Sequence, residues 1–210
     1  MYALVIDNTI TKYFSYPKGF TLGDNQYPAD IFMKWSVEEK EALGIYEVVF
    51  DDSNKKDVKW YINTNQSFAF ADGTVTASYG TATAKAHADT TWSQDDEDAG
   101  LLPSDKSVGD IKTRGLKYNL IQTIKQQASG LLAPTDWYVV KSTEVADYDV
   151  PANILSFRAD VRTKSNEMET MINNCTTVDE LKALYEYTNT GTEQNPVITR
   201  PIGEFPKEVI

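Results

Sequence analysis

The 210-residue chain is poor in the residues that most often do chemistry: it has one cysteine and one histidine. With Cys175 alone, an internal disulfide and a cysteine-rich metal centre are both excluded. With His87 alone, there is no His-x-x-x-His metal pair. Glycine-rich phosphate loops and nucleophile elbows are also missing. Positive charge is scarce: 20 Lys and Arg stand against 31 Asp and Glu, a net charge of -11. That balance argues against a nucleic-acid partner, because phosphates need a basic face. It suits solubility and complementarity to a basic partner. No apolar run is long enough to cross a bilayer, and the N-terminus has neither the basic stretch nor the apolar core of a secretory signal. Neither a membrane span nor a leader is therefore expected.

Carboxylates are abundant, but a glycosidase-type pair is defined by its geometry, and the internal repeats usual in long glycan-cleaving β-structures do not occur. The acidic run 95–98 invites a calcium loop. Counted from Asp95, however, the fifth position is Ala99 and the twelfth is Lys106, so the ligand spacing fails. The run reads as a solvated charge cluster. The expectation is a protein without enzymatic activity, metal or cofactor.

What is present is a folding composition, 41% hydrophobic and 11% aromatic, organised as an α+β chain. Residues 1–80 read as a small antiparallel β module with one short helix. Tyr2 to Ile6 and Thr9 to Phe14 flank Asp7-Asn8, a hairpin link. Ser36 and Glu39 have the spacing of a capping box, predicting a helix from Val37 to Leu43 that Gly44 stops. Ile45 to Phe50, Val58 to Thr64, Gln66 to Phe70 and Thr74 to Tyr79 continue the strand pattern, the last pair around Asp72-Gly73. Residues 81–106 are polar and acidic and read as a linker. Residues 107–188 read as a helical hairpin with a short capping helix, and residues 189–210 as an extended, proline-containing tail.

In the hairpin, Val108, Ile111, Tyr118, Ile121, Ile124 and Ala128 recur at helical spacing after Ser107. Gly130 would stop that helix. Pro151 suits the first position of the next one, whose stripe is Ile154, Phe157, Val161, Met168 and Ile172. Leu155 and Met171 add apolar surface beyond one packed face, which predicts self-association or partner binding. Trp137, lying between the two stripes, is expected to fill the closed end of the hairpin against Phe157 and Ile154, with Asp136 capping the turn; the alternative is a surface position as a binding hot spot. Thr177 and Glu180 form a second capping box that opens a final helix. Cys175, at the end of the second stripe, is expected to be a buried small hydrophobe.

The segment from Leu131 to Arg162 carries the one recognisable pattern. An amphipathic helix, then L-x-P-T-D-W, a short acidic span and V-P-x-x-I-x-x-F-R-x-x-V-R resembles the C-terminal module of phage tail assembly chaperones and tail-fibre assembly-type proteins. The matching positions are Thr135, Asp136, Trp137, Pro151, Phe157, Arg158 and Arg162. The opening MYALVIDNTITKYFSYP, GIYEV and ADGTVTASY resemble the N-terminal part of such proteins; the tail from Thr188 and the Ala/Thr-rich span at 80–92 depart from them. The resemblance implies a non-enzymatic tail, tail-fibre or baseplate component, located in the virion and contacting other tail or fibre proteins as a homo- or hetero-oligomer. The alternatives are an assembly chaperone working in the host cytoplasm and absent from the mature virion, and a receptor module whose exposed aromatics hold a glycan.

Overall fold

A computed structural model describes residues 1–207. The protein has the expected α+β character and divides into two compact units, Met1–Thr83 and Ala84–Ile210.

The first unit is built on a hairpin of β1 (Tyr2–Ile6) and β2 (Thr9–Phe14). Its link is the predicted one: Asp7 and Asn8 both take positive φ, 48° and 59°, the conformation that a two-residue turn needs to match strand twist. A second hairpin, β3 (Phe20–Leu22) with β4 (Asn25–Tyr27), and a turn of helix α1 (Ile31–Lys34) follow. The capping box at Ser36 forms as expected: Glu39 N–H donates to the Ser36 hydroxyl at 3.2 Å, and the Glu39 carboxylate accepts from Ser36 N–H at 2.8 Å. It opens α2 (Val37–Ala42). Gly44 stops the chain at φ 84°, where a Cβ would run into the Val5 carbonyl. Then follow β5 (Ile45–Asp51), β6 (Tyr61–Ile62), β7 (Ser67–Ala71) and β8 (Thr74–Ser78).

These strands make a five-stranded sheet in the order β2-β1-β5-β8-β7. Two expectations are corrected here. The module has two short helices rather than one, and its sheet is mixed, because β5 and β8 run parallel with Val48 opposite Val75. Parallel neighbours need a long return connection, and residues 52–73 provide it, carrying buried Trp60 and Tyr61 and the edge strand β7. Strand alternation divides the core between the two faces. One face buries Leu4, Phe14 and Ile45 under Phe20, Ile31 and Phe32. The other buries Ala3, Val5, Val48, Val75 and Ala77, packed by Tyr46, Phe68 and Phe70. The sheet curls around this second face until its two outer strands meet, Tyr13 of β2 lying 4.7 Å from Phe68 of β7 between ring centroids.

The second unit begins with ordered short elements where a linker was expected. After β9 (Thr83–Ala84), β10 (Thr90–Thr91) pairs antiparallel with β11 (Ile111–Thr113) and encloses α3 (Gln94–Asp98). The helix expected from Ser107 starts later, at Leu116. Ser107 N–H does donate to the Asp110 carboxylate at 2.9 Å, but Gly109 at φ 94° turns the chain away from helix. The carboxylate of Asp89 instead accepts from Gly115 N–H at 2.8 Å and ties down the first turn of α4 (Leu116–Leu132). Gly130 does not stop α4, because a glycine inside a helix costs only about 1 kcal/mol. The helix ends at the 3₁₀ turn Ala133–Thr135, which contains Pro134. Next come α5 (Asp136–Glu144), α6 (Ala152–Asn174), α7 (Val178–Ala183) and a small hairpin of β12 (Thr188–Asn189) with β13 (Ile198–Thr199).

Helices α4 and α6 form the antiparallel pair. Lys117 reaches the Asn173 carbonyl at 2.9 Å, Lys125 reaches Glu169 at 3.4 Å, and Arg158 reaches the Leu132 carbonyl at 3.0 Å. The α6 stripe is buried as its spacing predicts: Ile154, Phe157, Val161, Met168 and Ile172 are all core. Thr177 caps α7 through the second predicted box, and Cys175 is buried. The described part of the tail is laid against the helical unit. Ile202 is buried, its N–H donating to the Leu184 carbonyl at 3.0 Å, and Phe205 packs against Phe157 and Val161. The last residues of the expected tail, 208–210, lie outside the described residues.

Candidate interaction site on the helical unit

Four of the residues singled out from the sequence meet where α4 hands over to α5. The last carbonyls of a helix have no partner within it, and the Leu132 carbonyl at the end of α4 is one of these. It accepts the Thr135 hydroxyl at 2.7 Å and the Arg158 guanidinium at 3.0 Å. Thr135 is fully buried, and its hydroxyl oxygen also accepts from Arg158 Nη1. Asp136, first residue of α5, pairs with the same Nη1 at 2.8 Å. One buried arginine on α6 therefore satisfies the end of α4, fixes the start of α5 and places a cation where the helix dipole of α4 favours it. Beside it, Phe157 packs with Ala128 and Val161. Thr135, Asp136, Phe157 and Arg158 thus form one junction although about twenty residues separate the two halves.

The other singled-out residues lie elsewhere. Pro151 is the exposed N-cap of α6, about two turns before Arg158. Arg162 is one turn beyond Arg158 on the same helix, exposed, with Nη1 donating to the Arg158 carbonyl at 3.3 Å. Asp136 caps nothing with its side chain; it is an ion-pair partner. Trp137 does not close the hairpin. It is 51% exposed, because the space against Phe157 is filled by Leu131, Leu132 and Phe205. With Thr135 pointing inward, the residue two positions on is turned about 200° around the helix, away from the core.

Trp137 stands instead on a solvent-facing ridge. Its ring lies 3.9 Å from that of Tyr138, and Lys141 Nζ sits 5.7 Å from it and 4.2 Å from the Tyr148 ring. Val139, Val140 and Val145 are also exposed, and α5 has no buried residue. The signal for this ridge was present in the sequence. W-Y-V-V places four large apolar residues in succession, more than one helix face can bury.

Between α4 and α6, next to the junction, a groove of about 410 Å³ opens, lined among others by Lys125, Ser129, Arg158, Arg162, Ser165 and Asn166. Sequence spacing did not reveal it, because it needs α4 and α6 side by side. Burial and the nearby Glu180 carboxylate push the Cys175 thiol up from its usual range, so it has little thiolate character. Among the described residues, no group of His, Cys, Asp and Glu is placed to hold a metal ion, and no helix is long and apolar enough to cross a membrane.

Comparison with family models, curated proteins and solved structures finds no match for this chain.

Proposed function

We propose that the protein is a non-enzymatic tail, tail-fibre or baseplate component of a bacteriophage, acting through protein–protein contacts made by its helical unit. The observation that carries the contact part is the α5 ridge. Trp137 and Val140, three residues apart and so on one side of the helix, are both exposed on a helix whose first residue is held by the buried Arg158. A rigidly supported aromatic anchor flanked by aliphatic residues has the composition of an interface hot spot. The phage assignment is supported by the resemblance of the L-x-P-T-D-W and V-P-x-x-I-x-x-F-R segments to tail and fibre assembly proteins. The side-chain junction between those two segments gives a physical reason for both to occur in one chain.

Mass spectrometry of purified particles tests the assignment. The chain should be present at a fixed stoichiometry, and Trp137→Ala should remove it from particles while leaving it folded. Presence in lysate with absence from particles would favour the assembly-chaperone alternative. Undiminished incorporation of Trp137→Ala would refute the ridge as the contact.

A further inference from the structure

The α4–α6 groove has a feature that the junction does not use. All three contacts of Arg158, to the Leu132 carbonyl, the Thr135 hydroxyl and the Asp136 carboxylate, are made by Nη1. The Nε–H and the parallel Nη2–H along the other edge of the guanidinium have no protein acceptor among the described residues. Arg158 is only 7% exposed, yet among the described residues no fully buried side-chain nitrogen lacks a partner. That edge therefore reaches solvent, and the groove is the opening that Arg158 lines. Nε–H and Nη2–H are the two donors that bind a carboxylate side-on, through two parallel hydrogen bonds.

We propose that this groove is a carboxylate-binding site that receives an acidic peptide segment of a partner protein, with Arg158 as the fork and Arg162 as the flanking cation. The proposal rests on the protein-contact reading above and specifies the chemistry of the partner. Charge selects the ligand. Lys125, Arg158 and Arg162 face Asp136 and Glu169, so three cations against two carboxylates leave a single positive charge. A monovalent, planar carboxylate matches that charge and the planar fork; a phosphate dianion would leave an uncompensated charge beside Asp136. The fork is held in advance by the three Nη1 contacts, so little side-chain freedom remains to be lost on binding. Ser129, Ser165 and Asn166 line the same walls and supply polar groups for a peptide backbone.

The test uses the full chain and a capped Ala-Glu-Ala-Ala peptide, which carries one carboxylate, with its Ala-Gln-Ala-Ala counterpart and inorganic phosphate as controls. The readout is the side-chain Nε–H resonance of Arg158 by NMR. The Glu peptide should shift that resonance saturably; the Gln peptide should not, and phosphate should do so only weakly. Losing one charge-assisted hydrogen bond weakens binding by roughly tenfold or more, so Arg158→Lys, which keeps the charge but lacks the fork, should show at least that loss, read for this variant from the backbone N–H resonances of Ser129 and Asn166 in the groove wall. Arg162→Gln, exposed and outside the junction, should weaken binding several-fold in a protein with unchanged melting. No shift with the Glu peptide overturns the proposal, as does an equal response to the Gln peptide. Phosphate binding more tightly than peptide also overturns it, in favour of a phosphate site. Incorporation into particles is measured separately, so a failed peptide titration with the chain still in particles overturns the groove alone. The chain's absence from particles with peptide binding intact overturns the tail assignment alone.

Discussion

Replacing Arg158 by Met isolates the contribution of the guanidinium, since Met fills much of the space of the arginine stem. Two hydrogen bonds are lost, from Nη1 to the Leu132 carbonyl and to the Thr135 hydroxyl, and a bond to a charged group is worth about 1.5–3 kcal/mol. Two features reduce the sum. The Leu132 carbonyl keeps the Thr135 hydroxyl as a donor, so it is not orphaned. The Asp136 side chain is 59% exposed, so it is resolvated when its partner goes, and such a pair is worth about 0–1 kcal/mol. The expected cost is about 2–3 kcal/mol, short of the roughly 3–5 kcal/mol for breaking a fully buried ion pair. Urea unfolding followed by tryptophan fluorescence should show the midpoint of the helical unit lower by about 1 M. Asp136→Asn should lose about 1 kcal/mol or less. If Asp136→Asn cost as much as Arg158→Met, the ion pair and not the capped carbonyl would be the anchor. A loss below about 0.5 kcal/mol for Arg158→Met would refute the junction as a structural element.

Four further outcomes are expected. Trp137→Ala should change unfolding stability by about 1 kcal/mol or less, since the residue is 51% exposed; a loss in the range of about 3–5 kcal/mol would restore the core role suggested by its place between two stripes. Ile172→Ala, at a position with no exposure, should cost about 2–5 kcal/mol in thermal or urea unfolding. Gly115→Ala should strongly destabilise the start of α4, because its Cβ would meet the Ala88 carbonyl group; proteolysis near residue 115 should accelerate, and an unchanged cleavage pattern would contradict the packing. Finally, Asp89 is held below the usual carboxylate range, first by the Gly115 N–H and then by Arg114, and Glu180 by the Thr176 N–H and hydroxyl. With folded pKa values depressed, their stabilisation is present above the unfolded values near about pH 4 and is lost as pH falls through the folded ones. Acid unfolding should therefore begin below about pH 4, and Asp89→Asn should flatten that limb of the profile.

The parts of the fold visible in the sequence are those set by short-range rules. Asp7-Asn8 fixed a hairpin because few links tolerate two positive φ values, and the Ser36 and Thr177 boxes marked helix starts because their partners lie three residues away. The α6 stripe was readable from its period alone. What escaped is non-local. No local signal says that β5 and β8 run parallel; that follows from how the chain between them returns. The start of α4 was misplaced because Val108 and Ile111 fit a helical period while the deciding contact, Asp89 with Gly115, spans the strand pair β10–β11. Trp137 was misread for a related reason. Periodicity places a side chain on a face, but which face is covered depended on Phe205, from the C-terminal tail far along the sequence. Within the candidate site, the T-D-W and F-R pattern pointed to the right residues, and only three-dimensional packing showed that Arg158, and not Trp137, joins them.

The curl of the β sheet has a consequence for assembly. A free sheet edge is a row of unpaired amides and carbonyls onto which another chain can add a strand. Here β2 and β7, the two outer strands of the five-stranded sheet, are turned towards one another with Tyr13 and Phe68 in contact. An incoming strand would have to part those rings before it could find a backbone partner. The two margins of the five-stranded sheet are thus screened by their own side chains against the addition of a further strand.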